Sequence, residues 1–123
     1  MSNVSKASAS RTETMEGFEG RYEEVDGYMV GFETFTQGGD YTPFFKGLPD
    51  DRCQSPHWGY VFNGALTIHH PEHDEVIEAG KAYYVGPGHT GEVADGTEIL
   101  EFSPADLYKE TVAVIMKNME EMG

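Results

Sequence analysis

Short apolar stretches separated by turn-forming dipeptides constrain the fold of this chain more than any other feature. Residues 28–36 (YMVGFETFT) form one such stretch, which the glycine-rich segment 37–40 closes. Asn63-Gly64 and Asp95-Gly96 each separate two further stretches, and both dipeptides favour the positive backbone angles of a two-residue hairpin turn. Five or more strands connected this tightly predict an antiparallel sandwich or barrel.

The composition agrees with a sheet protein of one domain. The 123 residues include seven Tyr, seven Phe and one Trp, residue types that are enriched in strands, and 15 Gly, which suits many tight turns. A closed barrel of this length buries a workable core although only 38% of the residues are apolar.

Charge and cysteine usage exclude several classes of function. The net charge of −14 repels phosphate backbones and anionic membrane surfaces, so we expect no nucleic-acid partner and no membrane partner. No apolar run approaches 18 residues, no signal-peptide core opens the chain, and a single Cys forms no internal disulfide framework. We therefore expect a soluble cytoplasmic protein.

The two ends of the chain differ from its middle. Residues 1–15 begin with a Ser-rich segment and are predicted to be a disordered tail, and residues 16–103 form the predicted barrel. Residues 41–46 read as a strand that Pro43 confines to a sheet edge. Residues 104–123 are predicted to form one helix, with Ser103 as its N-cap, Pro104 at its first position and apolar residues at helical spacing.

Potential metal ligands occur at a regular spacing before Gly64. The pattern is Asp51-x-Cys53-x3-His57-x6-Gly64. Because every second residue of a strand faces the same way, a continuous strand directs Asp51, Cys53 and His57 into one cavity.

This spacing resembles the first motif of the cupins, His-x-His-x3-Glu-x6-Gly, with every offset kept and all three ligand types changed. Residues 78–89 (EAGKAYYVGPGH) are similar to the second motif, Gly-x5-Pro-x-Gly-x2-His. Gly80 and Gly88 match that motif, Gly86 replaces its Pro, Gly91 occupies its His position, and His89 comes two residues early. The resemblance covers residues 51–104, a little under half of the chain, and implies an all-β jelly-roll barrel, here with one C-terminal helix.

The resemblance also implies a metal site in the barrel cavity, for which the candidate ligands are Asp51, Cys53, His57 and His89. A thiolate with imidazoles and a carboxylate suits Zn²⁺ well and Fe²⁺ or Ni²⁺ less selectively, and no organic cofactor is implied. In the alternative interpretation Cys53 is an ordinary buried thiol, His57 is hydrogen-bonded to Asp51, and His89 lies in a turn. An unpaired Asp51 in an apolar cavity is a candidate general base.

Two other groups of residues have simpler interpretations. His69, His70 and His73 lie in an acidic, Pro-containing segment that is predicted to be a solvated hairpin loop rather than a second metal site. The aromatic residues 58, 60 and 62 fall on the strand face opposite His57 and need cover. Because small cupins commonly dimerise through sheet faces or edges, the resemblance implies a homodimer.

Three functions follow from these expectations. The first is a metal-dependent enzyme acting on a small organic metabolite, which enters beside Phe44 and Phe45. The second is a metal-free cupin that binds a small ligand as a sensor or carrier, which the changed ligand types favour. The third is a dimeric interaction domain whose cavity is filled by side chains. Metal content separates the first from the second, and cavity volume separates the third from both.

Overall fold

Two antiparallel sheets facing each other form the body of the molecule. The computed structural model describes residues 3–122, and the strands in this range are β1 (Arg11–Met15), β2 (Phe18–Val25), β3 (Tyr28–Phe35), β4 (Gly39–Asp40), β5 (His57–Asn63), β6 (Ala65–His69), β7 (Asp74–Glu78), β8 (Ala82–Val85), β9 (Thr90–Val93) and β10 (Thr97–Pro104). One sheet has the order β1-β2-β3-β10-β5-β8 and the other the order β4-β9-β6-β7. Helix α1 (Ala105–Met122) ends this range, and two 3₁₀ helices, Thr42–Phe45 and Pro49–Asp51, precede β5. The prediction of an all-β jelly roll with one C-terminal helix is confirmed.

The core fills the space between the sheets. Its apolar side chains come from both sheets: Phe35, Val61, Leu66, Ile68, Ile77, Tyr83, Val85 and Ile99. They occupy alternate strand positions, as a half-buried sheet requires. Val61, Thr97 and Val85 are almost completely buried, so the core extends along the whole length of β5.

The Asn63-Gly64 and Asp95-Gly96 dipeptides do not close hairpins, so that prediction is wrong. β5 pairs with β8 and β10, whereas β6 pairs with β7 and β9, and β9 and β10 likewise belong to different sheets. Both glycines have the expected positive φ, +78° in each case. The sharp bend exists at both places, but in a jelly roll it carries the chain from one sheet to the other. A tight hairpin does join β2 and β3 through Asp26-Gly27, both with positive φ.

Part of the predicted N-terminal tail forms a strand. Residues 11–15 form β1, which pairs along its whole length with β2, so that part of the prediction is wrong. The strand has little apolar character and depends on backbone pairing with its neighbour, which composition does not reveal. Residues 1 and 2 of the predicted tail lie outside the described residues.

The segment predicted as an edge strand at residues 41–46 is instead a 3₁₀ helix, Thr42–Phe45. Pro43 occupies its first turn, where the missing N–H and fixed φ are tolerated. Helix α1 holds it in place, since the Asn118 side-chain amide donates to the carbonyls of Phe44 and Lys46 at 2.7 and 2.8 Å.

Candidate metal centre

Cys53 and His89 are brought together by a backbone bridge between two loops. The Cys53 N–H donates to the His89 carbonyl at 2.8 Å, and the Gly88 N–H donates to the Cys53 carbonyl at 2.8 Å. Both side chains are buried, with exposed fractions of 2% and 5%. The bridge therefore directs His89 into the barrel although it precedes the position that the family spacing assigns to a histidine.

His57, the first residue of β5, completes the cluster. Its Nε2 lies 3.6 Å from the Cys53 Sγ. One ligand atom from each of Cys53, His57 and His89 lies within 4.8 Å of the other two. These separations suit three donors around one tetrahedral ion, with a fourth position open.

Hydrogen bonds orient both imidazoles with one nitrogen toward this centre. The Nδ1 of His89 lies 2.7 Å from the Gly86 carbonyl, which only accepts, so Nδ1 carries the proton and Nε2 keeps its lone pair. The Nδ1 of His57 lies 2.7 Å from Ser103 Oγ and 3.4 Å from Glu101 Oε1. A carboxylate or hydroxyl behind the ring is the usual support for a metal-ligating histidine.

Ser103 was predicted to be the N-cap of the C-terminal helix, and that prediction is wrong. Strand β10 continues through Pro104, helix α1 begins at Ala105, and the Ser103 hydroxyl points to His57. Continuing the strand places Ser103 on the inner face of the sheet, in line with Glu101 and Ile99.

Burial sets the protonation of the three side chains. It lowers the pKa of His57 to about 4, and burial together with the neighbouring His57 lowers the pKa of His89 to about 4. Both imidazoles are therefore neutral at pH 7, the form that binds metal. Burial raises the pKa of the Cys53 thiol to about 11, so an ion that binds there displaces its proton. The donor set fits a divalent metal of the Zn²⁺ type.

Asp51 lies apart from the cluster. It is exposed, belongs to the 3₁₀ helix Pro49–Asp51 and accepts a 2.9 Å hydrogen bond from the Gly47 N–H. The assumption that one strand carries Asp51, Cys53 and His57 is wrong, because Pro49 starts a helical turn and both Asp50 and Asp51 have positive φ. Three of the four predicted residues are thus brought together and the fourth is not.

A cavity of about 130 Å³ adjoins the cluster. His57 and His89 contribute to its wall, and Phe45 and Tyr41 lie at the side of the first 3₁₀ helix. The rest of the wall is largely apolar: Phe35, Leu66, Ile68, Val85, Val93 and Ile99. The barrel interior therefore keeps an open space beside the imidazoles that side chains do not fill.

Two buried glutamates, Glu33 and Glu101, also face this cavity, and no motif in the sequence marks them. Glu33 accepts a 2.6 Å hydrogen bond from the Tyr22 hydroxyl, and Glu101 accepts one of 2.5 Å from the Tyr83 hydroxyl. Burial raises the pKa of both carboxyls to about 7, and the charge of Glu101 adds to the effect on Glu33. Strand parity was the available signal, because Glu33 lies two residues before the core residue Phe35 and Glu101 lies two residues after the core residue Ile99, so each shares the inner face of its strand.

Glycines make room for the two tyrosines. A Cβ at Gly31 would lie 2.8 Å from the Tyr22 ring, and one at Gly59 would lie 2.5 Å from the Tyr83 ring. Each ring therefore lies flat over a strand that has no side chain at that point, which is how its hydroxyl reaches a carboxyl across the sheet.

The histidines of the β6–β7 hairpin form no part of this centre. His69 Nδ1 pairs with Asp74 at 2.8 Å, and His70 Nε2 pairs with Glu75 at 3.2 Å. The hydrogen bond to Asp74 raises the pKa of His69. An exposed, ion-paired loop agrees with the expectation for this segment.

The outer face of the six-stranded sheet carries exposed aromatic side chains. Trp58, Tyr60 and Phe62 alternate with the inward residues of β5, and their exposed fractions are 42%, 37% and 49%. The predicted orientation of these three residues is confirmed. Tyr84 and Tyr28 pack against Trp58, with ring centroids 5.2 and 6.2 Å away.

Within residues 3–122 no helix is both long and apolar enough to cross a membrane.

Comparison with known proteins supports the fold. No protein-family model matches the sequence, and no curated protein matches it significantly. Among solved structures, the chain is similar to the polyketide cyclase RemF from Streptomyces resistomycificus, with a TM-score of 0.59, 16% identity, and coverage of 85% of this chain and 79% of RemF. It is also similar to KdgF from Halomonas sp., with a TM-score of 0.53, 21% identity, and coverage of 76% and 86%. An RmlC-like cupin from Shewanella frigidimarina gives a TM-score of 0.53, 20% identity, and coverage of 76% and 83%.

Proposed function

Since the chain has the cupin fold, we propose that it is a metal-dependent enzyme acting on a small organic molecule. The metal is held by Cys53, His57 and His89, and the molecule occupies the adjoining cavity. The observation that carries this proposal is the approach of three donor atoms to within 4.8 Å of one another beside a cavity of about 130 Å³. RemF is a polyketide cyclase, which supports an enzyme on this fold without naming the substrate.

The protein supplies orientation and a largely apolar environment. When bound, a divalent cation polarises an oxygen atom of the molecule beside it. Ser103 and Glu101 hold the His57 ring by its Nδ1, and the Gly86 carbonyl holds the His89 ring. The wall is largely apolar, and a low local polarity strengthens electrostatic interactions beside it.

Metal content, measured by elemental mass spectrometry on untagged protein, tests this function. We expect about one Zn, Fe or Ni per chain in the wild type and a near-complete loss in Cys53→Ala. Asp51→Asn is the matched control: its amide oxygen still accepts from Gly47, and the separation from the cluster predicts unchanged metal content. Wild-type levels of metal in Cys53→Ala would refute the proposed centre, and loss in Asp51→Asn would return Asp51 to the ligand set.

A metal-free ligand-binding protein is the second candidate. The observation that favours it is the buried Cys53, whose thiol has its pKa raised to about 11 and therefore resists the deprotonation that metal binding needs. A wild-type protein that takes up no Zn²⁺, Fe²⁺ or Ni²⁺ after reconstitution but binds small molecules in its cavity would establish this candidate.

The homodimer stays a prediction. The aromatic outer face, with Trp58 at its centre, is a surface of the kind that a second copy covers. Light scattering at micromolar concentration is expected to give twice the chain mass, and Trp58→Lys is expected to give the monomer mass. A monomeric wild type would contradict the prediction.

A further inference from the structure

The polar side chains of the cavity wall are carboxyls, imidazoles and one phenol: Glu33, Glu92, Glu101, His57, His89 and Tyr41. Among the described residues that line the cavity, none is Lys or Arg. An anionic molecule would leave water without gaining a counter-charge from these side chains, which is costly in an apolar enclosure.

Glu33 and Glu101 lie side by side on the inner face of the six-stranded sheet. In the β3–β10 ladder Glu33 is opposite Ile99 and Glu101 is opposite Gly31, so the two glutamates are diagonal neighbours. Each gives one oxygen, Oε2, to a tyrosine hydroxyl. The Glu101 side chain keeps 21% of its surface accessible and lines the cavity, so this carboxyl is within reach of a bound molecule.

We propose that Glu33 and Glu101 select small molecules bearing a hydroxyl or amino group and no acidic group, by accepting hydrogen bonds from that group inside the cavity. The tyrosine hydroxyls fix the two carboxyls by occupying Oε2 of each. Oε1 of Glu33 keeps its acceptor capacity, and Oε1 of Glu101, which also lies 3.4 Å from His57 Nδ1, keeps a second lone pair. This inference rests on the proposed function, in which the same cavity receives the small organic molecule.

The volume limits the size of that molecule. An engineered cavity of about 150 Å³ in another protein accommodates benzene, so a cavity of about 130 Å³ suits a molecule of one ring or an equivalent chain. A ring packs against Leu66, Ile68 and Val85, and its hydroxyl or amino group faces the two carboxyls. A hydroxyl or amino group that leaves water for an apolar cavity needs a hydrogen-bond partner, and the two carboxyls supply it, which makes them the main source of selectivity.

Three probes of matched size test the inference: benzyl alcohol, benzylamine and benzoate. Their dissociation constants are measured by titration calorimetry on metal-free Cys53→Ala, in which no cation attracts benzoate, and on metal-loaded wild type. In Cys53→Ala we expect the better of the two donor probes to bind at least about tenfold more tightly than benzoate. The order of the alcohol and the amine identifies which donor the acids prefer.

Glu33→Gln is expected to reduce this preference at least about threefold, because the amide replaces one of the two carboxyl oxygens with an NH₂ group that only donates. Glu24→Gln is the matched control at a side chain that is 46% exposed and does not line the cavity, so the preference is expected to remain. Benzoate binding within twofold of both donor probes, failure of all three probes to bind, or an unchanged preference in folded Glu33→Gln would each overturn the inference. The comparison of probes in Cys53→Ala needs no substitution at Glu33, so it decides the matter even if that variant does not fold.

The two proposals fail separately. If the wild type contains no metal but still prefers the donor probes, the proposal of a metal-dependent enzyme is wrong and the proposed selectivity is supported. If the wild type binds metal but the Cys53→Ala variant does not distinguish the probes, the proposed selectivity is wrong and the proposed metal centre is supported.

Discussion

The chain carries two groups of histidines whose surroundings differ. His57 and His89 lie inside the barrel, where burial lowers the pKa of each to about 4 and hydrogen bonds orient the rings. His69 and His70 lie on the β6–β7 hairpin and pair with exposed carboxylates, and the pKa of His69 is raised. The comparison teaches that the density of histidines along a sequence is a poor guide to a metal site, because the site needs neutral imidazoles converging from separate segments.

Removing an inner histidine is expected to have the largest effect. His57→Ala or His89→Ala should weaken Zn²⁺ binding more than about hundredfold, beyond the usual effect of losing a residue that only supports a ligand. The double variant His70→Ala/His73→Ala, in the hairpin, should retain wild-type affinity. Competition with a chromogenic chelator measures both, and a hairpin variant that loses the metal would reverse the comparison.

The pH dependence of stability should distinguish the groups next. The folded pKa of His89 is about 4 and the unfolded value about 6.5, so between these values the unfolded state binds more protons and stability falls as the pH falls. For metal-free protein, moving from pH 7.5 to 5 should cost the wild type about 2 kcal/mol more than His89→Asn. Urea unfolding at the two pH values measures this difference.

His69→Asn should show the opposite sign in the same experiment. The pKa of His69 is raised in the folded state, so its contribution is present below the unfolded pKa and is lost as the pH rises through the folded one. Because the His69 side chain is more exposed than that of His89, its contribution to the pH dependence of stability is expected to be the smaller. Equal responses of His69→Asn and His89→Asn would mean that burial does not separate the groups.

The support behind His57 should have an intermediate effect on metal affinity. Ser103→Ala removes the 2.7 Å contact to Nδ1 and should weaken Zn²⁺ binding about tenfold, because the ring loses one of its two orienting partners. Ser103→Thr, which keeps the hydroxyl, should recover most of the affinity. Chelator competition measures both variants, and an unchanged Ser103→Ala would show that Glu101 alone orients the ring.

The smallest effect is expected at the hairpin. His69→Ala removes an ion pair with Asp74 whose side chain is 62% exposed, and such pairs contribute less than about 1 kcal/mol. Thermal unfolding of metal-free protein near neutral pH measures this change. A loss of several kcal/mol would show that the hairpin histidines contribute more to the fold than their exposure indicates.

Much of the fold could be predicted because it depends on local pattern. The alternation in β5 places His57 inward and Trp58 outward. The Asn-Gly and Asp-Gly dipeptides predict the positive φ of Gly64 and Gly96. The partners of those strands could not be predicted in this way. A two-residue bend is compatible both with a hairpin and with passage to the opposite sheet, and only the packing of the two sheets decides between them.

Some features of the candidate site likewise depend on local pattern and others on packing between distant segments. The sequence by itself determined the residue types and the strand parity that direct His57 into the barrel. The tertiary structure decided that His89 joins Cys53 through a loop bridge, that Asp51 turns away in a 3₁₀ helix, and that two glutamates share the cavity. The physical reason is that parity depends on adjacent peptide units, whereas convergence and burial depend on contacts between segments far apart in the chain.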